Sequence, residues 1–246
     1  MMRAFSFGVL ADADRRLVWR DPLMKWVLLL PVGLALLFRI LIPQAHETLL
    51  RTTGIDIAPY YPLIMGGYLM NAPGIVGMVI GFLLLDERDA RTLTALRVTP
   101  VSVRRYLAYR ISGPLVVATA TTLLGYGLIQ IIPLPFGRLL AISVVAAMSA
   151  PLIALVLATA APNKVAGLAV VKVLNGVNLL PIAAYFLPTP AQYLAGIIPA
   201  YWPMRAFWSA AQQESYSVYL AIGCLAGAFA LAVAVRLFER QLLRRA

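Results

Sequence analysis

Six stretches of roughly twenty mainly apolar residues divide this chain, and their length restricts it to folds that cross a lipid bilayer. They run approximately from Leu23 to Ile42, Tyr61 to Leu85, Tyr106 to Ile132, Leu139 to Ala160, Val165 to Leu187 and Val218 to Leu237. A bilayer core about 30 Å thick is crossed by about 20 residues of α-helix. Of the 246 residues, 61% are hydrophobic and 13% charged, whereas a soluble domain is about 45–50% apolar. Lipid solvates such side chains, so only the backbone polar groups must be satisfied within the chain, and helices do this segment by segment. Unbroken runs such as LAISVVAAMSAPLIALVLATAA lack the period-two alternation of a membrane barrel. The expected fold class is an all-α polytopic membrane protein with six transmembrane helices.

Cations orient the spans, because short cytoplasmic loops carry the Lys and Arg excess. Of the 21 Lys and Arg residues, sixteen fall on the side of the two termini, four (Arg39, Arg51, Arg138 and Arg205) on the other, and Lys172 inside the fifth span. Both termini are therefore expected in the cytoplasm. The net charge of +11 follows from this topology and from anionic headgroups, without nucleic acid as a partner. At the N-terminus, FSFGVLA is soon followed by DADRR, unlike a signal peptide, so the segment is expected to stay on the mature protein. Leu10, Ala13 and Leu17 recur at helical spacing among charged residues, the pattern of an interfacial amphipathic helix. Asp21 and Pro22 end it. The expected organisation is a single transmembrane domain over 1–246. It divides into an interfacial helix (1–22), spans 1 and 2 (23–85), a cytoplasmic segment (86–105), spans 3 to 5 (106–187), an outer re-entrant segment (188–217), and span 6 with its tail (218–246).

The cytoplasmic segment is long for a turn. Asp86 or Asp89 suits a helix start, Ala90 to Val98 reads as a short helix, and Pro100 stops it. Leu93 and Leu96 form a compact apolar ridge with Thr92 beside them, flanked by Arg97, Arg104 and Arg105. Such a ridge fits a groove on another protein, or the segment is a solvated loop held at headgroups by arginines. No GxxxxGK[ST] loop is present, so ATP is not bound in the usual way. His46 and Glu47 alone make no metal site, and the lone Cys224 reads as a small apolar side chain. No cofactor is expected.

Glu87, Arg88, Asp89, Thr92, Leu93, Leu96, Thr99 and Pro100 resemble the cytoplasmic signature of type-2 ABC-exporter permeases, roughly E-R-E-x-G-T-L-x-x-L-x-x-T-P. Arg91 stands where that family usually has glycine, and Asp89 where it often has glutamate. Arg20, Asp21, Pro22 and Pro31 resemble the family's R-x-P approach to the first span and the proline within it. Pro188, Pro190, Pro199 and Pro203 interrupt an outer segment similar to the family's re-entrant helices. Size and spacing are most similar to the fluoroquinolone-export permease branch. The resemblance implies a non-catalytic subunit in a prokaryotic plasma membrane, working with a second permease, identical or related, and with separate ABC ATPase subunits. It implies that Glu87, Arg88, Asp89, Thr92, Leu93, Leu96, Arg97, Thr99 and Pro100 couple to those ATPases, which drive export of a drug-like or lipid-like compound by alternating access.

Polar residues at bilayer depth are candidates for the substrate pathway: Asn71, Lys172, Asn175 and Asn178, with Gln130 a further intramembrane polar residue. On the fifth span Lys172, Asn175 and Asn178 form a stripe that either lines a cavity or hydrogen-bonds to a facing helix. Gly74, Gly77 and Gly81 read as close helix contacts, and Tyr60, Tyr61, Tyr68, Tyr201 and Trp202 as interfacial belts. A membrane-embedded enzyme would need a carboxylate cluster or a nucleophile with its base, and neither is legible. A non-transporting membrane scaffold or accessory subunit is the alternative function.

Overall fold

The computed structural model describes residues 7–89 and 103–244. Among the described residues the regular elements are nine α-helices and two short 3-10 segments, with no strand. Six helical segments are long and apolar enough to cross a membrane: Met24–Thr53, Ala58–Asp89, Arg105–Ile129, Phe136–Ala160, Lys164–Ala184 and Ser217–Gln241. Each overlaps one of the six expected spans, with shifted ends, and the chain is a multi-pass all-α membrane protein.

Helix α1 (Phe7–Arg20) leads into α2 (Pro22–Thr53) across Asp21. Pro22 takes the first helical position, where its missing N–H is no loss, and the Met24 amide donates to the Asp21 carboxylate at 3.4 Å. The sequence places the end of the first span at Ile42, before Pro43. The helix instead runs through both Pro31 and Pro43 to Thr53, because one proline removes one amide donor and leaves the neighbouring turns intact. At about 1.5 Å per residue it exceeds the bilayer core by roughly three turns. Gly54, at φ +73°, ends it in the left-handed conformation that glycine adopts without strain.

Helix α3 (Tyr61–Asp89) is the centre of the bundle: 72% of its most apolar stretch is buried, against 11% for α7 (Lys164–Ala184). Its glycines make this possible. A Cβ on Gly77 would stand 2.6 Å from the Ala150 carbonyl oxygen, and one on Gly81 would stand 2.6 Å from the Leu157 side chain, so α3 lies directly against α6 (Ser149–Ala160). Gly74 has no such neighbour.

Two spans differ from their sequence outlines. Helix α4 (Val103–Ile129) stops three residues before Ile132, at Gln130 with φ 54°, so Gln130 forms a helix end. The fourth span is two helices, α5 (Phe136–Ala147) and α6, divided at Met148. Pro151 explains the break, since it has no amide to donate to the Ala147 carbonyl. The Met148 amide tightens onto Val145 and the Ser149 hydroxyl donates to the Ala146 carbonyl at 2.5 Å. Helix α7 begins at Asn163, whose side chain accepts from the Ala166 amide at 2.9 Å, an ordinary N-cap.

Between α7 and the last helix, α9 (Ser217–Arg244), lie a 3-10 segment over Ala191–Ile197 and α8 (Tyr201–Ala211). Eleven residues of α-helix reach about 16 Å, half of a bilayer core. Tyr201, Phe207 and Trp208 of α8 are fully buried and join Met65, Tyr68 and Leu69 of α3 in the largest core cluster. Tyr68 and Tyr201 are therefore core residues instead of belt residues. The Tyr68 hydroxyl donates to the Pro31 carbonyl at 3.1 Å, a buried partner that makes an interfacial position unnecessary. Tyr60 stays 43% exposed, and the Trp202 indole, partly buried, donates to the Gly196 carbonyl at 2.9 Å.

Candidate functional site

Two places in the fold gather polar side chains from different helices, one at bilayer depth and one at the end of the bundle that carries α1 and the base of α3.

At bilayer depth, α3 and α7 diverge and leave an open cleft of about 310 Å³. Asn71 enters it from α3, and Asn175 and Asn178 from α7; Gly74 leaves room on the α3 side, and Met204 of α8 forms part of the wall. The α7 wall consists of Val171, Asn175, Asn178, Leu179 and Ile182, spaced as one helical face. Among the described residues the three carboxamides have no hydrogen-bond partner. The sequence stripe is thus brought together with Asn71, with one exception. Lys172 lies one position off the wall, is exposed, and does not line the cleft. A second pocket of about 230 Å³, almost wholly apolar, adjoins the first: Met70 and Asn178 line both.

At the charged end, Arg110 of α4 is 1% exposed. Its guanidinium donates to both oxygens of Asp14 on α1, at 2.7 and 3.2 Å, to Glu87 at the base of α3, and to the Tyr106 hydroxyl at 3.2 Å. Tyr106 in turn donates to Glu87 at 2.6 Å, and Tyr109 to Asp14 at 2.7 Å. Tyr106, Tyr109 and Arg110 share one face of α4 at i, i+3 and i+4. A planar fork of five donors suits two carboxylates at once, which an ammonium could not match. Asp12, exposed on α1, takes a separate pair, Arg15 at 2.8 Å and Arg16 at 2.7 Å, and the Arg15 hydrogen bond holds its carboxyl below the usual range.

The neighbouring signature residues are also engaged within the chain. Arg88 donates to the carbonyls of Ala158, Ala161 and Pro162 at 3.1, 2.8 and 2.7 Å. This supplies the last turn of α6 and its exit with the donors that a helix C-terminus lacks. Asp89 is half exposed, 3.7 Å from Arg88. Lys164 bridges Asp86 at 2.8 Å and Asp21 at 3.6 Å. Thr92, Leu93, Leu96, Arg97, Thr99 and Pro100, and the short helix expected over 90–98, lie outside the described residues.

Asp14, Tyr106, Tyr109 and Arg110 escape a reading by signature alone. One signal was available. Arg110 follows Tyr106 by one turn into an apolar span, and a cation at that depth requires a named partner.

A family model described as "Fluoroquinolones export permease protein Rv2686c-like" matches residues 14–235. Two relatives, each named a fluoroquinolones export permease protein, come from Mycobacterium tuberculosis strains CDC 1551 / Oshkosh and ATCC 25618 / H37Rv. Each is 35% identical to this chain over 232 residues, covering 92% of this chain and 90% of the relative. No solved structure matches. A match from Asp14 to Val235 reaches into all six spans and takes in both polar sites, so this chain belongs to the Rv2686c-like family of export permeases.

Proposed function

We propose that this chain is the membrane-spanning, non-catalytic subunit of an ATP-driven ABC exporter in a prokaryotic plasma membrane, with both termini cytoplasmic. It works with a second permease chain and with separate ATPase subunits, and moves an amphipathic aromatic compound of the fluoroquinolone kind by alternating access. The observation that carries this reading is the convergence of Asn71, Asn175 and Asn178 on one open cleft. Asn71 and Asn175 are exposed to the cleft, so at bilayer depth their carboxamides can meet a ligand, water or a partner chain. An adjoining apolar pocket, reached past Met70 and Asn178, gives an amphipathic cargo a place for its ring system while its polar groups meet the asparagines. The low burial of α7 supports a second permease chain closing the open side.

Coupling to the ATPases is assigned to the segment 86–105 and α1. Glu87 acts through Arg110, tying the base of α3 to α1, and Arg88 ties it to α6. The ridge of Thr92, Leu93 and Leu96, with Arg97, Thr99 and Pro100, is the surface offered to the ATPase.

The test is reconstitution of the permease with a separate ABC ATPase subunit, reading fluoroquinolone-stimulated ATP hydrolysis. Asn71→Leu and Asn175→Leu should each weaken apparent cargo affinity about 5- to 10-fold, the equivalent of one lost hydrogen bond. Lys172→Met should leave it unchanged. Leu93→Asp should abolish stimulation by uncoupling the ATPase. Full transport by the permease alone in liposomes would overturn the proposal.

A further inference from the structure

Beneath α1 runs a groove of about 290 Å³ bounded by α1, α2, α3 and α4. Its floor is apolar and buried, formed by Val18, Val76, Val79 and Leu83, and at one end it reaches the Asp14–Arg110 cluster. Its mouth carries Trp19, 62% exposed, and Val117, 43% exposed, with Arg15 on the rim. Arg15 lines the groove and shares Asp12 with Arg16; Arg20 follows on α1 and Lys25 on α2, while Asp14 turns inward to Arg110 and Asp21 is met by Lys164. Lys25 also lies 5.7 Å from the Trp19 ring centre. An apolar slot in a membrane protein, opening beside an interfacial tryptophan and a surplus of cations, matches a lipid at both ends: hydrocarbon inside and phosphate outside. Gly113 of α4 keeps the wall open. A Cβ there would meet only Tyr109, at 3.8 Å, so helix contact does not require glycine at this position.

We propose that this groove is a binding site for one acyl chain of an anionic phospholipid, with the headgroup phosphate at Arg15 and Trp19. The chain fills the space between α1 and the spans, excludes water from the Asp14–Arg110 pair, and so makes the docking of α1 dependent on lipid. The occupant is a phospholipid rather than cargo because the rim is cationic, whereas the asparagine cleft is uncharged.

The test is native mass spectrometry of the full chain released from detergent, titrated with phosphatidylglycerol or with phosphatidylcholine of the same acyl chains. Wild type should retain one phosphatidylglycerol per chain about fivefold more tightly than phosphatidylcholine, as expected of one arginine at a headgroup. Gly113→Leu, which fills the slot, should lose that lipid, and Arg15→Gln should lose the preference but keep the chain. Equal retention by wild type and Gly113→Leu overturns the proposal, as does a preference that survives Arg15→Gln. Should Gly113→Leu fail to fold, Val117→Phe fills the same slot one turn along. A further measurement needs no variant of the groove wall. Phosphatidylglycerol brominated on its acyl chain should quench Trp19 emission, taken as wild type minus Trp19→Phe, more than its choline analogue does. Equal quenching overturns the site.

Discussion

Arg110 carries one positive charge against the carboxylates of Asp14 and Glu87, and the hydroxyls of Tyr106 and Tyr109 complete their coordination. A buried cluster of this kind is weak as a source of net stability but strongly penalises the loss of one member. Arg110→Met leaves two carboxylates facing apolar surroundings and should destabilise the protein by about 3–5 kcal/mol, read as a lower midpoint of thermal unfolding in detergent. Arg110→Lys should recover only part, because an ammonium cannot fork to both carboxylates. Tyr106→Phe should be milder, about 1–2 kcal/mol, the worth of a hydrogen bond to a charged group. At the other end of the bundle, Gly125 is fixed by contact alone. A Cβ there would overlap the Tyr68 hydroxyl oxygen and stand 2.6 Å from its ring carbon, and Tyr68 is 1% exposed with its hydroxyl committed to Pro31. Gly125→Ala should therefore destabilise by about 3 kcal/mol, the upper part of the usual range for overfilled cores. Adding Tyr68→Leu should recover much of that loss in the same unfolding measurement; no recovery would show that the clash lies elsewhere.

At the scale of elements, the rotation of α1 is set by charge. Leu10, Ala13 and Leu17 make its apolar stripe in sequence, yet Leu17 is 43% exposed while Asp14 and Val18, one turn apart, point into the bundle. Arg110 holds that face inward and leaves Leu17 and Trp19 on the outer surface of α1. Asp14→Asn removes the charge but keeps the shape. A spin-label distance between α1 and α4 should broaden in Asp14→Asn and stay narrow in Asp12→Asn, whose partners Arg15 and Arg16 are exposed neighbours on the same helix. Exposed pairs of that type contribute about 0–1 kcal/mol. An unchanged distribution in Asp14→Asn would remove the ionic explanation of how α1 is seated. The broken fourth span is a second such case. Pro151→Ala restores an amide and should favour a continuous helix through Met148, detectable as slower hydrogen exchange at residues 147–152.

For the whole molecule, α3 is the buried helix, while α7, like α2 and α9, is little buried; what distinguishes α7 is the cleft that opens beside it. The closed side is fixed by Gly77 and Gly81 against α6 and by α8 against α3. The open side carries the asparagine cleft. A rigid α3, tied at its base to α1 through Arg110 and to α6 through Arg88, is the kind of element that carries a displacement from one end of a bundle to the other. Cysteine pairs placed across the open face of α7 should cross-link two permease chains in membranes, and pairs on the buried face of α6 should not. Cross-linking confined to other faces would exclude α7 as the closing surface.

Six apolar runs and their approximate positions were legible in the sequence, because in lipid each helix satisfies its own backbone and hydropathy acts segment by segment; their ends were not, as the first helix runs on to Thr53 and the fourth span breaks at Met148. Pro22 marked a helix start correctly for the same local reason. The asparagine stripe was legible on α7, but its meeting with Asn71, and the exclusion of Lys172, depended on how far α3 and α7 diverge. Tyr68 and Tyr201 looked interfacial and are core residues, since burial depends on what faces a side chain from another helix. The partners of Glu87 and Arg88 lie 23 and up to 74 residues away. Helix periodicity places residues on faces, and only the crossing of helices brings one face against another; that step, resting on glycine contacts and buried charge, was decided by the tertiary structure.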